Sequence, residues 1–115
     1  MKTTYMEIVN GNYIGSVENP VDLNEILKKA DKEGLEPSLK DKERVLFLGI
    51  DVQQDFMDHG ALGVAGAQKD VERMTRFIYD NMEKISNIAV SMDTHTPHQI
   101  FHPCWWIDEN GEHPA

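Results

Sequence analysis

The stretch VLFLGIDVQQDFMDHGALGVAGA, residues 45–67, opens with an unbroken apolar run and stops at Asp51. A run of that length, rich in branched and aromatic side chains, has the pattern of a strand covered on both faces. A loop rich in glycine and alanine follows. DVERMTRFIYDNMEKI, residues 70–85, then sets Val71, Met74, Ile78, Met82 and Ile85 along one helical stripe. A second apolar run, IAVSM at 88–92, ends directly on Asp93. Strand, loop, helix, strand is a βαβ unit, whose strands run parallel and whose crossover is almost always right-handed. The reading predicts an α/β fold built on a parallel sheet.

In parallel sheets the carboxyl ends of the strands form the rim where ligands bind. Asp51 and Asp93 are each the first polar side chain after such a strand, so neighbouring strands would deliver both carboxylates to one crevice. A single acid at a strand tip is as readily a solvated end, but here the placement occurs twice. DTHTPHQIFHPCWW, residues 93–106, continues from the second tip. Asp93 and His95 are two apart, so an extended backbone points both side chains the same way. A carboxylate and an imidazole make half of a first-row metal site, with zinc, iron and manganese all compatible. His98, His102 and His113 lie close enough in sequence to complete it. Cys104, flanked by Pro103 and Trp105, reads as a small packing residue rather than a nucleophile, which would need a base and a site that stabilises thiolate. Trp105 and Trp106 read as a hydrophobic lid over the sheet rim.

The 115 residues suffice for one small domain. A formal charge of -9 without a basic cluster argues against DNA or RNA as a partner, because phosphate recognition needs a basic face. One cysteine rules out an intramolecular disulfide framework and suits a reducing compartment. No run has the length of a signal peptide core or a bilayer span, so a cytoplasmic protein without membrane contact is expected. Residues 1–40 read as an N-terminal extension. Within it Asn10-Gly11 predicts a hairpin turn between TYMEIV and YIGSV. DLNEILKKADKEG predicts a short helix capped by Asp22, with Glu25 at capping-box spacing and Gly34 at its end. The polar EPSLKDKE links it to the main fold over 41–115.

Two of these segments together resemble a known family. IDVQQDFMDHGALGVAGA resembles the opening motif of the nicotinamidase and isochorismatase-like cysteine hydrolases, in which a strand ends in D-x-Q-x-D-F before a glycine-rich G-x-L-x-V-x-G-A loop. VSMDTHTPHQIF resembles that family's next signature, a strand ending in D-x-H with further histidines and an aromatic. Order and separation match, the two cover roughly residues 44 to 102, and the D-x-H element points to the metal-containing nicotinamidase branch. The resemblance implies a three-layer α/β/α parallel sheet (isochorismatase-like), present here as an N-terminal portion. It implies an Asp-Lys-Cys triad whose aspartate is Asp51, accepting the thiol proton and later assisting water. Phe56 matches the aromatic that packs beside the substrate ring. Asp93 and His95 match ligands of a divalent metal ion, zinc first, which holds the substrate's pyridine nitrogen. His113 lies at the distance of the completing histidine, and His98 corresponds to a nearer one used by some relatives. The implied reaction is nicotinamide to nicotinate plus ammonia. Lysine and cysteine come from later strands in the family, so the chain is expected to be a fragment, by truncation, a split gene or an incomplete record. It is expected to be inactive alone, with homo-oligomers open when full length. The alternatives are another isochorismatase-like amidohydrolase, or a non-catalytic metal-binding fragment or subunit.

Overall fold

The structure is a computed structural model that describes residues 1–94, 96, 99, 100 and 102–114. Strand β1 (Leu46–Gly49) and strand β2 (Asn87–Val90) form a two-stranded parallel sheet. The register pairs Leu46 with Asn87 and Gly49 with Val90. Main-chain bonds frame the ladder at both ends: Asn87 N–H reaches Val45 O at 3.2 Å, and Ser91 N–H reaches Gly49 O at 2.8 Å. Helix α2 (Ala67–Asp80) connects the strands. The expected βαβ unit is present, and mixed helix with a parallel strand pair makes the fold α/β.

Packing of α2 against the sheet depends on a residue that has no side chain. A Cβ on Gly49 would lie 3.0 Å from Val90 Cγ1, 3.1 Å from Val52 Cγ2 and 3.7 Å from Met74 Sδ, so the helix-facing side of β1 is filled without one. Phe77 completes the contact, its ring centroid 6.0 Å from that of Phe47. The other side of the strand is different. Leu46, Leu48 and Ile50 alternate onto the opposite face, where they are 60%, 53% and 67% exposed. The unbroken apolar run predicted cover on both faces. One helix between two strands covers one face only, and within the described residues nothing lies over the other.

Two further boundaries differ from expectation. Helix α2 starts earlier than residue 70, because the Asp58 carboxylate accepts from Gly66 N–H at 2.6 Å and Ala67 N–H at 3.1 Å. That bond satisfies donors that a first helical turn leaves bare and sets a negative charge at the positive helix end. The helix stops at Asp80, where the Asn81 amide donates to Phe77 O at 2.9 Å and competes for its carbonyl. Met82 and Ile85, expected on the stripe, therefore follow the helix rather than extend it.

The N-terminal hairpin is absent. Residues 1–22 contain 3₁₀ turns at Tyr5–Glu7 and Gly11–Tyr13 and no strand. Asn10 has φ -103° rather than the positive value of a two-residue hairpin, and its side chain accepts from Asn12 N–H to cap the second turn. This local option of asparagine won over strand pairing. Instead of pairing with itself, the segment packs on α2. Tyr5 is 4% exposed, its hydroxyl lies 2.8 Å from Thr75 Oγ1, and Arg76 stands 3.6 Å over its ring. Tyr79 donates to Thr3 O at 2.5 Å. Tyr5, Met57 and Ala67 are the buried apolar side chains among the described residues, so the tightest packing surrounds α2 rather than the sheet.

Helix α1 (Leu23–Glu33) forms as expected, with Asp22 accepting from Asn24 N–H at 2.8 Å and Gly34 left-handed at φ 66°. Lys2 and Thr3 tie the start of the chain to its far end. Their main-chain N–H groups each lie 2.6 Å from the Glu33 carboxylate. Lys2 Nζ meets Lys32 O at 2.7 Å, a cation on carbonyls that the helix leaves unpaired. Among the described residues no helix is long and apolar enough to cross a membrane.

Candidate active site at the strand tips

Directly past β1 the backbone turns sharply. Asp51 takes φ 55°, the one non-glycine in the left-handed region among the described residues. That conformation costs an L-residue about 1–2 kcal/mol, and aspartate is among the few that visit it. Two contacts hold it there. Ser91 Oγ accepts from Asp51 N–H at 3.1 Å and donates to Asp51 Oδ1 at 3.1 Å, and Gln53 N–H closes on Asp51 O at 2.9 Å. A hydroxyl has the one proton and the lone pairs that this double role needs.

Asp93 stands at the tip of the neighbouring strand, tied to the first tip by Gln53. Gln53 Oε1 accepts from Asp93 N–H at 2.6 Å, and Gln53 Nε2 donates to Asp93 O at 3.2 Å. The same Nε2 lies 3.3 Å from Asp55 Oδ2. Asp93 is exposed, and its Oδ1 accepts from Thr94 N–H at 2.8 Å. Asp51 and Asp93 thus occupy the same end of the sheet, on directly paired strands.

Phe56 ends a 3₁₀ turn, Gln54–Phe56, and is half-buried. The glycine-rich loop folds back over it, with Leu62 N–H on Asp55 O at 2.9 Å and Val64 N–H on Phe56 O at 3.1 Å. Gly60 makes that return possible, since a Cβ there would sit 2.2 Å from Asp55 O. The result is a cavity of about 390 Å³ whose lining includes Asp51, Phe56, Val64, Val71 and Met74. Mostly apolar walls with two carboxylates, Asp51 and Asp70, among them suit a small-molecule site, and the volume is of that order. A second cavity, about 360 Å³, lies among Ile8, Tyr13, Val21 and Ile26. It has no acid, histidine, thiol or cation in its lining and is a gap between the N-terminal segment and α1.

Of the expected metal ligands, His95 lies outside the described residues, as does His98. His113 is exposed, and its Nδ1 is 2.8 Å from Trp106 O. A carbonyl can only accept, so Nδ1 carries a proton and in the neutral ring Nε2 keeps the lone pair. Ligating histidines share that arrangement, the second nitrogen anchored on a backbone oxygen. The loop before it is tightly wound: Asp108 Oδ1 accepts from Asn110 N–H at 2.8 Å and Glu112 N–H at 2.9 Å. Those bonds, with Glu112 first and Asn110 next, hold the Asp108 carboxyl below its ordinary value. Among the described residues no three His, Cys, Asp or Glu side chains gather around one point. In kind, a carboxylate at Asp93 and an oriented imidazole at His113 suit a divalent cation. Cys104 is exposed in the turn Pro103–Trp105 rather than packed, and Trp105 and Trp106 are about half exposed.

Three contributors escaped the sequence reading: Gln53, Ser91 and Asp58. Ser91 left a trace, as the one hydroxyl inside IAVSM. Gln53 fills the glutamine of the D-x-Q-x-D-F pattern but was given no role there, and nothing in the residue pattern marks Asp58 as a cap for a helix eight positions on. In comparisons with known proteins, the chain matches no family model, no curated protein and no solved structure.

Proposed function

We propose that the chain carries the acid-bearing and cation-binding part of a small-amide hydrolase of the nicotinamidase type, with the three-layer sheet of the isochorismatase-like fold as its full architecture. One observation carries the reading. Asp51 and Asp93 end two directly paired parallel strands, with Asp51 and Phe56 lining one cavity of about 390 Å³. Two acids at the carboxyl rim are what the reaction requires, one to move a proton and one to hold a cation.

In the proposed reaction a cysteine thiol gives its proton to Asp51, and its sulfur attacks the amide carbon. The tetrahedral adduct expels ammonia, which takes up the proton, and leaves a thioester. Asp51 then removes a proton from water as its oxygen attacks the thioester, and the acid departs as the thiol re-forms. Phe56 packs along the ring and excludes water from the adduct. Asp93, His95 and His113 are the proposed cation ligands. A bound zinc, iron or manganese ion would supply a fixed positive charge that orients the ring nitrogen. The thiol and the lysine belong, in this proposal, to further strands that extend the sheet at its edges, with helices over the face formed by Leu46, Leu48 and Ile50. The exposed Cys104 is not the nucleophile. A cytoplasmic setting fits the reaction.

The test uses the chain as it stands. Nicotinamide added to the ¹⁵N-labelled, zinc-supplemented protein is expected to shift the amide signals of Asp51, Phe56, Val64 and Met74 saturably, without ammonia release. Shifts confined to the cavity beside Tyr13, or none, would contradict the reading.

A further inference from the structure

We propose that the N-terminal segment is part of the ligand site: Gly15 is a positioning residue that seats the Met57 side chain and so fixes one wall of the cavity holding Asp51 and Phe56. The inference rests on the reading of that cavity as the site.

The segment runs along α2 in the opposite direction. Gly15 stands at Gln68, Gly11 at Glu72, Tyr5 at Thr75 and Arg76, and Thr3 at Tyr79. Gln68, Glu72, Thr75 and Tyr79 have the spacing of one helix face, so residues 3–15 follow a single stripe of α2. Met74 and Phe77, on another side of the helix, meet Gly49 and Phe47 of the sheet. The helix is held between the segment and the sheet.

At its far end the segment lands on the loop past β1. Gly15 has φ 74°, and a Cβ there would lie 3.0 Å from Met57 Cγ, 3.2 Å from Met57 Cβ and 3.3 Å from Gln68 Cγ. The glycine backbone thus rests on the base of the methionine side chain, not on its mobile end. The Met57 main chain is tied as well, its N–H on Gln54 O at 3.0 Å and its O taking Gly60 N–H at 2.7 Å. The side chain is 6% exposed and borders two hollows. One is the cavity with Asp51 and Phe56. The other, about 260 Å³, is lined by Ile14, Gly15, Ser16, Gln53 and Gln54 as well as Met57. Methionine turns about three bonds and fills whatever space lies open to it. With a hollow on either side, the backbone of Gly15 is what holds this side chain as the wall between them. A side chain at that position would take the room Met57 occupies.

The experiment adds nicotinamide to the 115-residue chain, labelled with ¹⁵N and with ¹³C at the methionine methyls. It compares wild type, Gly15→Ala, Gly34→Ala, Met57→Ala and the double variant Gly15→Ala/Met57→Ala. Gly34 is the control for backbone strain, since it has φ 66° and its Cβ would meet only Lys2 Nζ, at 3.9 Å. Wild type and Gly34→Ala are expected to bind alike. Gly15→Ala is expected to move the Met57 methyl signal before any ligand is added, and to weaken binding about five-fold or more. In the double variant the Gly15→Ala change is expected to cost no affinity beyond that of Met57→Ala, because the two act through one side chain. Wild-type affinity in Gly15→Ala, equal weakening in Gly34→Ala, or additive losses in the double variant overturns the positioning role and leaves the site standing. Wild-type shifts that do not saturate, or that gather away from Asp51, Phe56 and Val64, remove the site and the role with it. A Gly15→Ala chain that loses helix content is replaced by Ile14→Ala, which takes packing out of the same stretch without adding bulk and must show the same weakening.

Discussion

At Asp51 the backbone sits at φ 55° while its carboxylate and its N–H both lean on Ser91. The two features belong together. The left-handed turn aims the residue out of the strand line, and the serine offsets its cost with two hydrogen bonds worth roughly 0.5–1.5 kcal/mol each. Asparagine keeps both conditions, because it tolerates this conformation at least as well and its carbonyl can take the serine proton. Asp51→Asn is therefore expected to unfold within about 1 kcal/mol of wild type in urea, while the proton-accepting group is gone. A loss of several kcal/mol would mean that the acid is there for stability. Of this arrangement, the place of Asp51 at a strand tip was legible from the way VLFLGI breaks off. Its φ and its serine were not, since a backbone angle is decided by the turn that follows and by a residue forty positions away.

Elements were legible in proportion to how local their causes are. The ends of α1 are written in Asp22 and Gly34, a side-chain cap and a left-handed glycine that act within one turn. The start of α2 is not, because its cap is Asp58, brought round by the fold-back of the loop. Asn10-Gly11 misled for the converse reason: its hairpin needs two strands to pair, and here the flanking residues bind α2 instead. That docking has a measurable pH dependence. Hydrogen bonds from Thr3 and from Lys2 N–H lower the Glu33 carboxyl from 4.5 to about 2. A depressed carboxylate stabilises the docked form above its unfolded value and loses that contribution as pH falls through the folded one. The tie of the N-terminus to α1 is therefore intact above about pH 4.5 and fails on the way down to about 2. Amide exchange at Lys2 and Thr3, followed against pH, is expected to rise in that window, and Glu33→Gln to abolish the step. Exchange that is flat through the window would show that Glu33 is not the tie.

On the scale of the whole molecule, the chain puts its densest packing around α2 and leaves one face of its sheet bare at Leu46, Leu48 and Ile50. The parallel pair and its connection were legible because apolar runs and a helical stripe are repeated patterns. Cover on the second face was not, since an apolar run says that a strand suits burial and not what buries it. The functional claim survives that gap because it concerns the rim, where the two strands alone bring Asp51 and Asp93 to one end. Manganese(II) tests this most directly. At sub-stoichiometric metal, the amide signals of Asp93, Gln53, Asp51 and Ser91 are expected to broaden before any others, and not to do so in Asp93→Asn. With a formal charge of -9, the contrary outcome is easy to recognise: broadening spread over the acidic surface, or centred on α1, would show that the strand tips hold no common site.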